Sequence, residues 1–137
     1  MAVLSQAELN QQAELSYVRG TYEVALTFSL SGYTSAVTAA NIAADEVAVG
    51  TAGYARLTFN YTNADLLAYN NGQPLAQKVA SFVHNGAAAD IVFTHVAILR
   101  DVSGTKTVVA VESVGSVATL SSGKTAVINI NLLHGRP

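Results

Sequence analysis

The region from Ile91 to Val117 contains two runs of β-type residues joined by a short polar segment. In the first run, side chains alternate between two faces that are both largely apolar. One predicted face carries Ile91, Phe93, His95, Ala97 and Leu99, and the other carries Val92, Thr94, Val96 and Ile98. Residues 107–114 form the second run, and residues 100–106 supply a glycine and small polar residues for the reversal. This pattern predicts a β-hairpin whose first strand is central and covered on each side.

Alternation with a period of two recurs along most of the remaining chain. It predicts a half-buried strand at 21–29 and further strands at 54–61, 75–84, 116–120 and 125–133. Within 54–61, the alternation places the tyrosines at the two ends on opposite faces. In the last strand, one face carries Ala126, Ile128, Ile130 and Leu132, and the opposing face carries Thr125, Val127, Asn129, Asn131 and Leu133. Seven or eight strands with short turns predict a mainly β fold, an antiparallel β-sandwich or jelly roll, as a single domain over residues 1–137.

The N-terminal segment carries the pattern of an α-helix over about residues 5–19. Ser5 and Glu8 have the spacing of a capping box, and Gly20 is suited to a left-handed C-terminal cap. Leu9, Ala13 and Tyr17 recur every four residues and define one face. That face is predicted either to pack across the end of the domain or to contact a neighbouring subunit.

Residues 36–53 are rich in alanine and have no clear period, so they predict no regular element. Asp45 and Glu46 are adjacent carboxylates within this stretch. A metal site and a solvated loop are both conceivable for such a pair. The solvated loop is favoured, because hard cations need several converging oxygen ligands.

Composition narrows the class of function. Charged residues make up 12% of the chain, against about 25% in an ordinary soluble domain. Two explanations of this low charge content are open. The surface could consist of small neutral residues, or much of it could be buried against copies of the chain or a partner. The second explanation is favoured. The net charge of −2 gives no basic field for nucleic acid, and the apolar runs are far shorter than a membrane helix, so neither nucleic acid nor membrane is expected as a partner.

No residue pattern predicts catalysis, a cofactor or a metal. The three histidines, His84, His95 and His134, show no metal-ligand spacing, and the chain has no cysteine. No serine lies in a nucleophile elbow, and the segment Gly50–Gly53 precedes a predicted strand rather than a helix. We therefore expect no catalytic, cofactor-binding or metal-binding residues and no enzymatic activity.

Tyrosine is the remaining residue type that could form a recognition surface. Tyr33, Tyr61 and Tyr69 fall in or near predicted turns and are the candidate surface or interface aromatics. Such rings could stack on sugars or bury against another subunit. The alternative is that each one completes the rim of the core.

Five short motifs, in an order that spans nearly the whole chain, resemble those of small β-rich virion structural proteins of tailed bacteriophages, of tail-fibre-like or capsid-decoration type. The motifs are Arg19–Leu26, Ala43–Val47, Gly53–Phe59 (GYARLTF), Phe93–Leu99 (FTHVAIL) and Leu120–Thr125. Each motif alone is mainly a β pattern with turn chemistry.

The resemblance implies a non-enzymatic virion component, assembled in the host cytoplasm. It would be a capsid decoration or cement protein, or a tail or fibre component. Its expected partners are copies of itself, as a dimer or trimer, and other virion proteins such as major capsid or tail proteins. A carbohydrate-binding β-sandwich module remains the alternative, since turn-borne tyrosines on such a fold would suffice for it.

Overall fold

The computed structural model describes residues 5, 17–29, 37–62, 64–65, 68–70 and 73–133. Over these residues the protein is mainly β, with antiparallel sheets and one α-helix. The elements in chain order are β1 (Thr21–Thr27), α1 (Ala39–Asp45), β2 (Leu57–Phe59), β3 (Ala68–Asn70), β4 (Gln73–Val83), β5 (Ile91–Val102), β6 (Thr105–Leu120) and β7 (Thr125–Leu133). A four-stranded sheet has the order β2-β1-β5-β6, and a three-stranded sheet has the order β3-β4-β7.

The predicted hairpin is confirmed as β5 and β6, and β5 is central because β1 and β6 pair with its two sides. The reversal is a two-residue turn in which Ser103 and Gly104 both have positive φ, 53° and 86°. That geometry matches the right-handed twist of the paired strands. β6 continues without interruption through Gly115, so residues 107–114 and 116–120 form one strand. The predicted strands therefore correspond to only six of the strands β1–β7, fewer than the seven or eight predicted, because two of them merge in β6. The short β3 was not predicted.

The face assignment predicted within β5 is wrong, because the strand contains an irregularity. The pairing with β6 shifts register between Phe93 and His95. A register shift of this kind reverses which residues face a given side. Ile91 and Phe93 consequently belong to the same buried cluster as Val96 and Ile98, whereas Ala97 and Leu99 lie in a cluster on the other face.

The predicted half-buried strand β1 is in fact buried on both faces. All residues from Tyr22 to Thr27 are buried. On one face, Tyr22, Val24 and Leu26 belong to the larger of two buried hydrophobic clusters, which we call the main core. On the other face, Ala25 lies in the second cluster, and Glu23 is 8% exposed because it forms ion pairs.

The main core contains side chains from both sheets. The four-stranded sheet contributes Tyr22 and Phe93, and the three-stranded sheet contributes Phe82 and Ile130. β7 shows the predicted alternation: Ile130 and Leu132 are buried, while Val127, Asn129 and Asn131 are exposed.

The helix α1 covers the opposite face of the four-stranded sheet and was not predicted. Thr38 and Asn41 form a capping box, each satisfying a backbone N–H of the other at 3.2 and 2.9 Å. Ile42 is fully buried against Ala25, Ala97 and Leu99. A single buried residue in a seven-residue helix leaves too little periodicity to detect from sequence.

The N-terminal helix predicted over residues 5–19 falls mostly outside the described residues, including Leu9 and Ala13. Tyr17 is helical and packs against the main core. Gly20 has φ of 84°, as predicted for a left-handed cap. A Cβ atom at that position would clash with the backbone oxygen of Asp101, so close packing also requires glycine.

Candidate interaction surface

A chain of ion pairs lies beside the helix-covered face of the four-stranded sheet. Arg56 binds both oxygens of Glu46, at 2.8 and 2.9 Å, and reaches Oε1 of Glu23 at 3.2 Å. Lys106 Nζ donates to the same Glu23 carboxylate at 2.9 Å. Two carboxylates are thus neutralised by two cations, and the network joins the residue after α1 to three parts of the sheet.

Tyr54 extends this network into the core. Its hydroxyl donates to Glu46 at 2.6 Å and accepts the backbone N–H of Leu26 at 3.0 Å, while its ring stacks on Phe82 with centroids 5.9 Å apart. Pairing of β1 with β2 ends at Val24, and residues 45–47 continue along the same edge of β1. The backbone N–H of Leu26 lies between these two neighbours of β1, and the Tyr54 hydroxyl accepts its hydrogen bond.

The electrostatics of the network favour a structural role. Burial alone would raise the pKa of Glu23, but hydrogen bonds from Lys106 and Arg56 outweigh it and hold that pKa below its ordinary value. The hydrogen bonds with Glu46 raise the pKa of Arg56, and burial raises the pKa of Tyr54. Each of these shifts stabilises the charge state already present, so the network is suited to holding segments together rather than to transferring protons.

The pair Asp45–Glu46 is therefore not the solvated loop that the sequence predicts. Asp45 ends α1, and its carbonyl oxygen accepts the N–H of Phe28 at 2.8 Å. The Glu46 side chain is only 10% exposed. Sequence reasoning missed its partner Arg56, which lies ten positions later with no local pattern linking the two.

The histidines that the structure describes act in local hydrogen bonding. His84 is 3% exposed, accepts the N–H of Gly86 at Nδ1 at 3.0 Å, and bonds the carbonyl of Ala89 through Nε2 at 2.7 Å. It therefore carries its proton on Nε2 and fixes the loop before β5. The Nδ1 atom of His95 lies 2.7 Å from the Thr94 hydroxyl. His134 lies outside the described residues.

Tyr61 is a core residue, so its predicted surface position is wrong. Its side chain is 1% exposed and packs edge-on against Tyr22 and Phe59, with centroids 4.9 and 5.1 Å apart. Its hydroxyl reaches the carbonyl of Ile130 in β7 at 3.5 Å. Tyr61 shares the main core with Leu57 and Phe59, as the predicted alternation has it. Tyr54, predicted on the opposite face, is buried in the same core, because β2 spans only Leu57–Phe59 and the alternation does not extend back to residue 54.

Of the other aromatic and helical residues predicted to form an interface, the structure describes only some. Tyr17 packs on Tyr61, with ring centroids 6.2 Å apart. Tyr33 lies outside the described residues, and Tyr69 is placed only by its backbone, in β3. The described side chains thus assemble no aromatic platform from these predicted positions.

The outward face of the three-stranded sheet is the most distinctive surface in the described residues. β4 and β7 alternate cleanly between buried and exposed positions, so eight side chains point outward together. We call this set the valine face; it comprises Gln77, Val79, Ser81, Val83, Thr125, Val127, Asn129 and Asn131. None of the eight is charged, and the three valines are 64%, 64% and 61% exposed.

The valines lie close together on this face because of the strand register. Ser81 of β4 is paired with Val127 of β7. Val79 and Val83 lie two residues to either side of Ser81, so Val127 is centred between them along the strand direction. A shallow depression of about 510 Å³ adjoins Val79 at the more polar end, lined by Gln77, Lys78, Asn129 and Asn131.

A second opening lies between β6 and β7, which are the outer strands of their sheets. This cleft has a volume of about 300 Å³. Val96, Ile98 and Ile130 from the main core line it, together with Val114 and Glu112 of β6. Val127 also lines this cleft, so the cleft adjoins the valine face, and Glu112 places one carboxylate beside its apolar lining.

Three comparisons bear on identity and chemistry. No protein-family model, curated protein or solved structure matches the chain. Within the described ranges, no three acidic or histidine side chains converge as metal ligands, and no helix is long and apolar enough to cross a membrane.

Proposed function

We propose that this protein is a non-enzymatic structural subunit that acts by self-association and by binding other proteins. The valine face is the observation that carries the proposal. Exposed apolar side chains scattered singly are ordinary on a soluble protein, but here three lie together on a regular, uncharged sheet. Such a surface gains stability when another surface removes it from water.

The setting that the sequence resemblance suggests is the virion of a tailed bacteriophage. There the subunit would be a capsid decoration or cement protein, or a tail or fibre component, binding major capsid or tail proteins. Many weak contacts become strong when a particle engages many subunits at once. A small uncharged face on each copy is suited to that mode of action.

The fold that best serves this role is a single β-sandwich. We propose that the two antiparallel sheets stack face to face, since side chains of both belong to one buried cluster. Tyr54 and Tyr61 support the stacking, because each contacts both a residue tied to the four-stranded sheet and one from the three-stranded sheet. A rigid sandwich would present the valine face without an ordering cost on binding.

Light scattering on the purified protein over a concentration series tests the proposal. We expect the average mass to rise from one chain towards a dimer or trimer as concentration increases. Cross-linking within particles would then identify the virion partners. A monomer at every concentration, with no binding to virion proteins, would contradict the proposal; glycan binding by that monomer would instead support the carbohydrate-binding alternative.

A further inference from the structure

We infer that the valine face is covered by the valine face of a second copy of this chain, related by a two-fold axis. This inference rests on the proposed self-association and specifies its surface, partner and symmetry. Two features of the face argue for a second copy: its lack of charge and its geometry.

The absence of charge from the valine face favours an identical partner. A patch of one sign would repel its own copy and select a partner of opposite sign. None of the eight side chains of the valine face carries a charge. Lys78, which lines the depression beside the face, is held in an ion pair with Asp65 at 3.3 Å. Two copies can therefore approach face to face without like-charge repulsion.

The spacing of the valines is self-complementary. A two-fold axis in the plane between two stacked sheets, perpendicular to the strands, reverses positions along each strand. If it passes at the level of Ser81 and Val127, it places Val79 of one copy over Val83 of the second copy. Val127 then faces Val127 of the second copy, at the ~10 Å separation of stacked sheets. Each valine of the face meets a valine of the partner.

The area of the face limits how much surface two copies can bury. β4 has 11 residues and β7 has 9, which at ~3.3 Å per residue and ~4.8 Å between strands gives roughly 350 Å² of sheet per copy with β3 included. About 700 Å² from two copies is below the ~1,600 Å² of a stable specific interface. We therefore expect the dimer to be weak and to dissociate reversibly on dilution.

Opposite charges introduced at Val127 test the inference. Val127→Glu and Val127→Lys each place two like charges against one another across the axis. Each variant alone should raise the dissociation constant at least ~100-fold, because like-charge contacts cost several kcal/mol. An equimolar mixture of the two should recover dimers, each containing one copy of either variant, because their charges are opposite. Val49→Glu is the matched control, since Val49 is 72% exposed and lies outside the valine face.

The outcomes separate this inference from the proposed function. Mass by light scattering is compared with circular dichroism, which checks that each variant is folded. If the wild type associates but the Val127 variants associate equally well, or if the wild type forms a trimer, the two-fold valine-face contact is wrong while self-association stands. If the wild type stays monomeric at every concentration, the inference fails together with the self-association on which it rests.

Discussion

The two sheets differ in what lies over their outer faces. On the four-stranded sheet, Ala25, Ala97 and Leu99 lie beneath Ile42 of α1 and are buried completely. On the three-stranded sheet, Val79 and Val127 have a comparable apolar character but are exposed by more than half. One sheet is covered by its own chain, and the other leaves apolar side chains exposed.

The two faces also differ in the charged residues that they carry or adjoin. The covered face is bordered by Glu23, Glu46, Arg56 and Lys106, which fix the end of α1 to the sheet. The valine face contains no charge at all. A cover from the same chain is present at a fixed position and can be anchored by ion pairs, whereas a face that meets its own copy is better left neutral. The comparison yields four predictions, in order of decreasing effect.

Removing Arg56 should produce the largest loss of stability. Arg56→Met leaves Glu46 without its cation and removes one of the two partners of Glu23 in a largely buried site. We expect the free energy of unfolding to fall by about 3–5 kcal/mol, because uncompensated buried charge is costly. Urea denaturation measures this change. Lys124→Met, at an exposed turn position, removes the same charge and should change stability by no more than about 0.5 kcal/mol.

Truncating a side chain on the helix-covered face should lower the free energy of unfolding more than truncating one on the valine face. Ile42→Ala removes a fully buried side chain and leaves a cavity, so we expect a loss of about 2–4 kcal/mol. Val79→Ala at low protein concentration should cost about 0.5 kcal/mol or less, because the side chain is 64% exposed in one chain. Equal losses at the two positions, measured by denaturant unfolding, would contradict the contrast between the faces.

Acid should weaken the covered face without affecting the valine face. The pKa of Glu23 is lowered in the folded protein, so its contribution is complete above the ordinary value of 4.5 and is lost as pH falls below that value. Lys106 and Arg56, which face Glu23, remain charged throughout. We expect stability to decline below about pH 4.5 by less than in Arg56→Met, since the protonated side chain remains in place.

Self-association should stay constant over the same pH range as long as the protein is folded, because the valine face has no titratable side chain. Light scattering and thermal unfolding on the same samples separate the two effects. An association constant that changes with pH before unfolding begins would show that charged groups take part in the contact.

Removing the cap of α1 should have the smallest effect. Thr38→Ala deletes the hydroxyl that accepts the Asn41 N–H at 3.2 Å. A loss of about 1 kcal/mol is expected, with faster amide exchange in α1. Thr38→Ser keeps the hydroxyl and should behave as the wild type, so a similar loss in both variants would contradict a capping role.

The features that could be predicted from sequence are those encoded locally. The β5–β6 hairpin follows from β-branched runs around a glycine turn, and the alternation within β7 is enough to place Val127 and Asn129 on the side opposite the core. The exposed residues of the valine face are thus visible in part from the sequence. That they form a neutral patch depends on the pairing of β7 with β4, which joins residues about 50 positions apart.

The features that could not be predicted depend on distant partners or local irregularities. Arg56 meets Glu23, 33 positions earlier, and neither residue signals the other. The register shift after Phe93 arises from pairing with β6 and inverts the faces beyond it. For α1, the Thr38–Asn41 capping box was the available signal, and the alanine-rich sequence around it concealed the helix.

The most direct test of the account is the chemical accessibility of the valine face as a function of concentration. The chain has no cysteine, so Val127→Cys and Val49→Cys each introduce a single thiol. We predict that a thiol reagent labels position 127 more slowly as the protein concentration rises through the dissociation constant seen by light scattering, while labelling at position 49 is unchanged. An association seen by light scattering without any protection at position 127 would contradict the claim that a second copy covers this face.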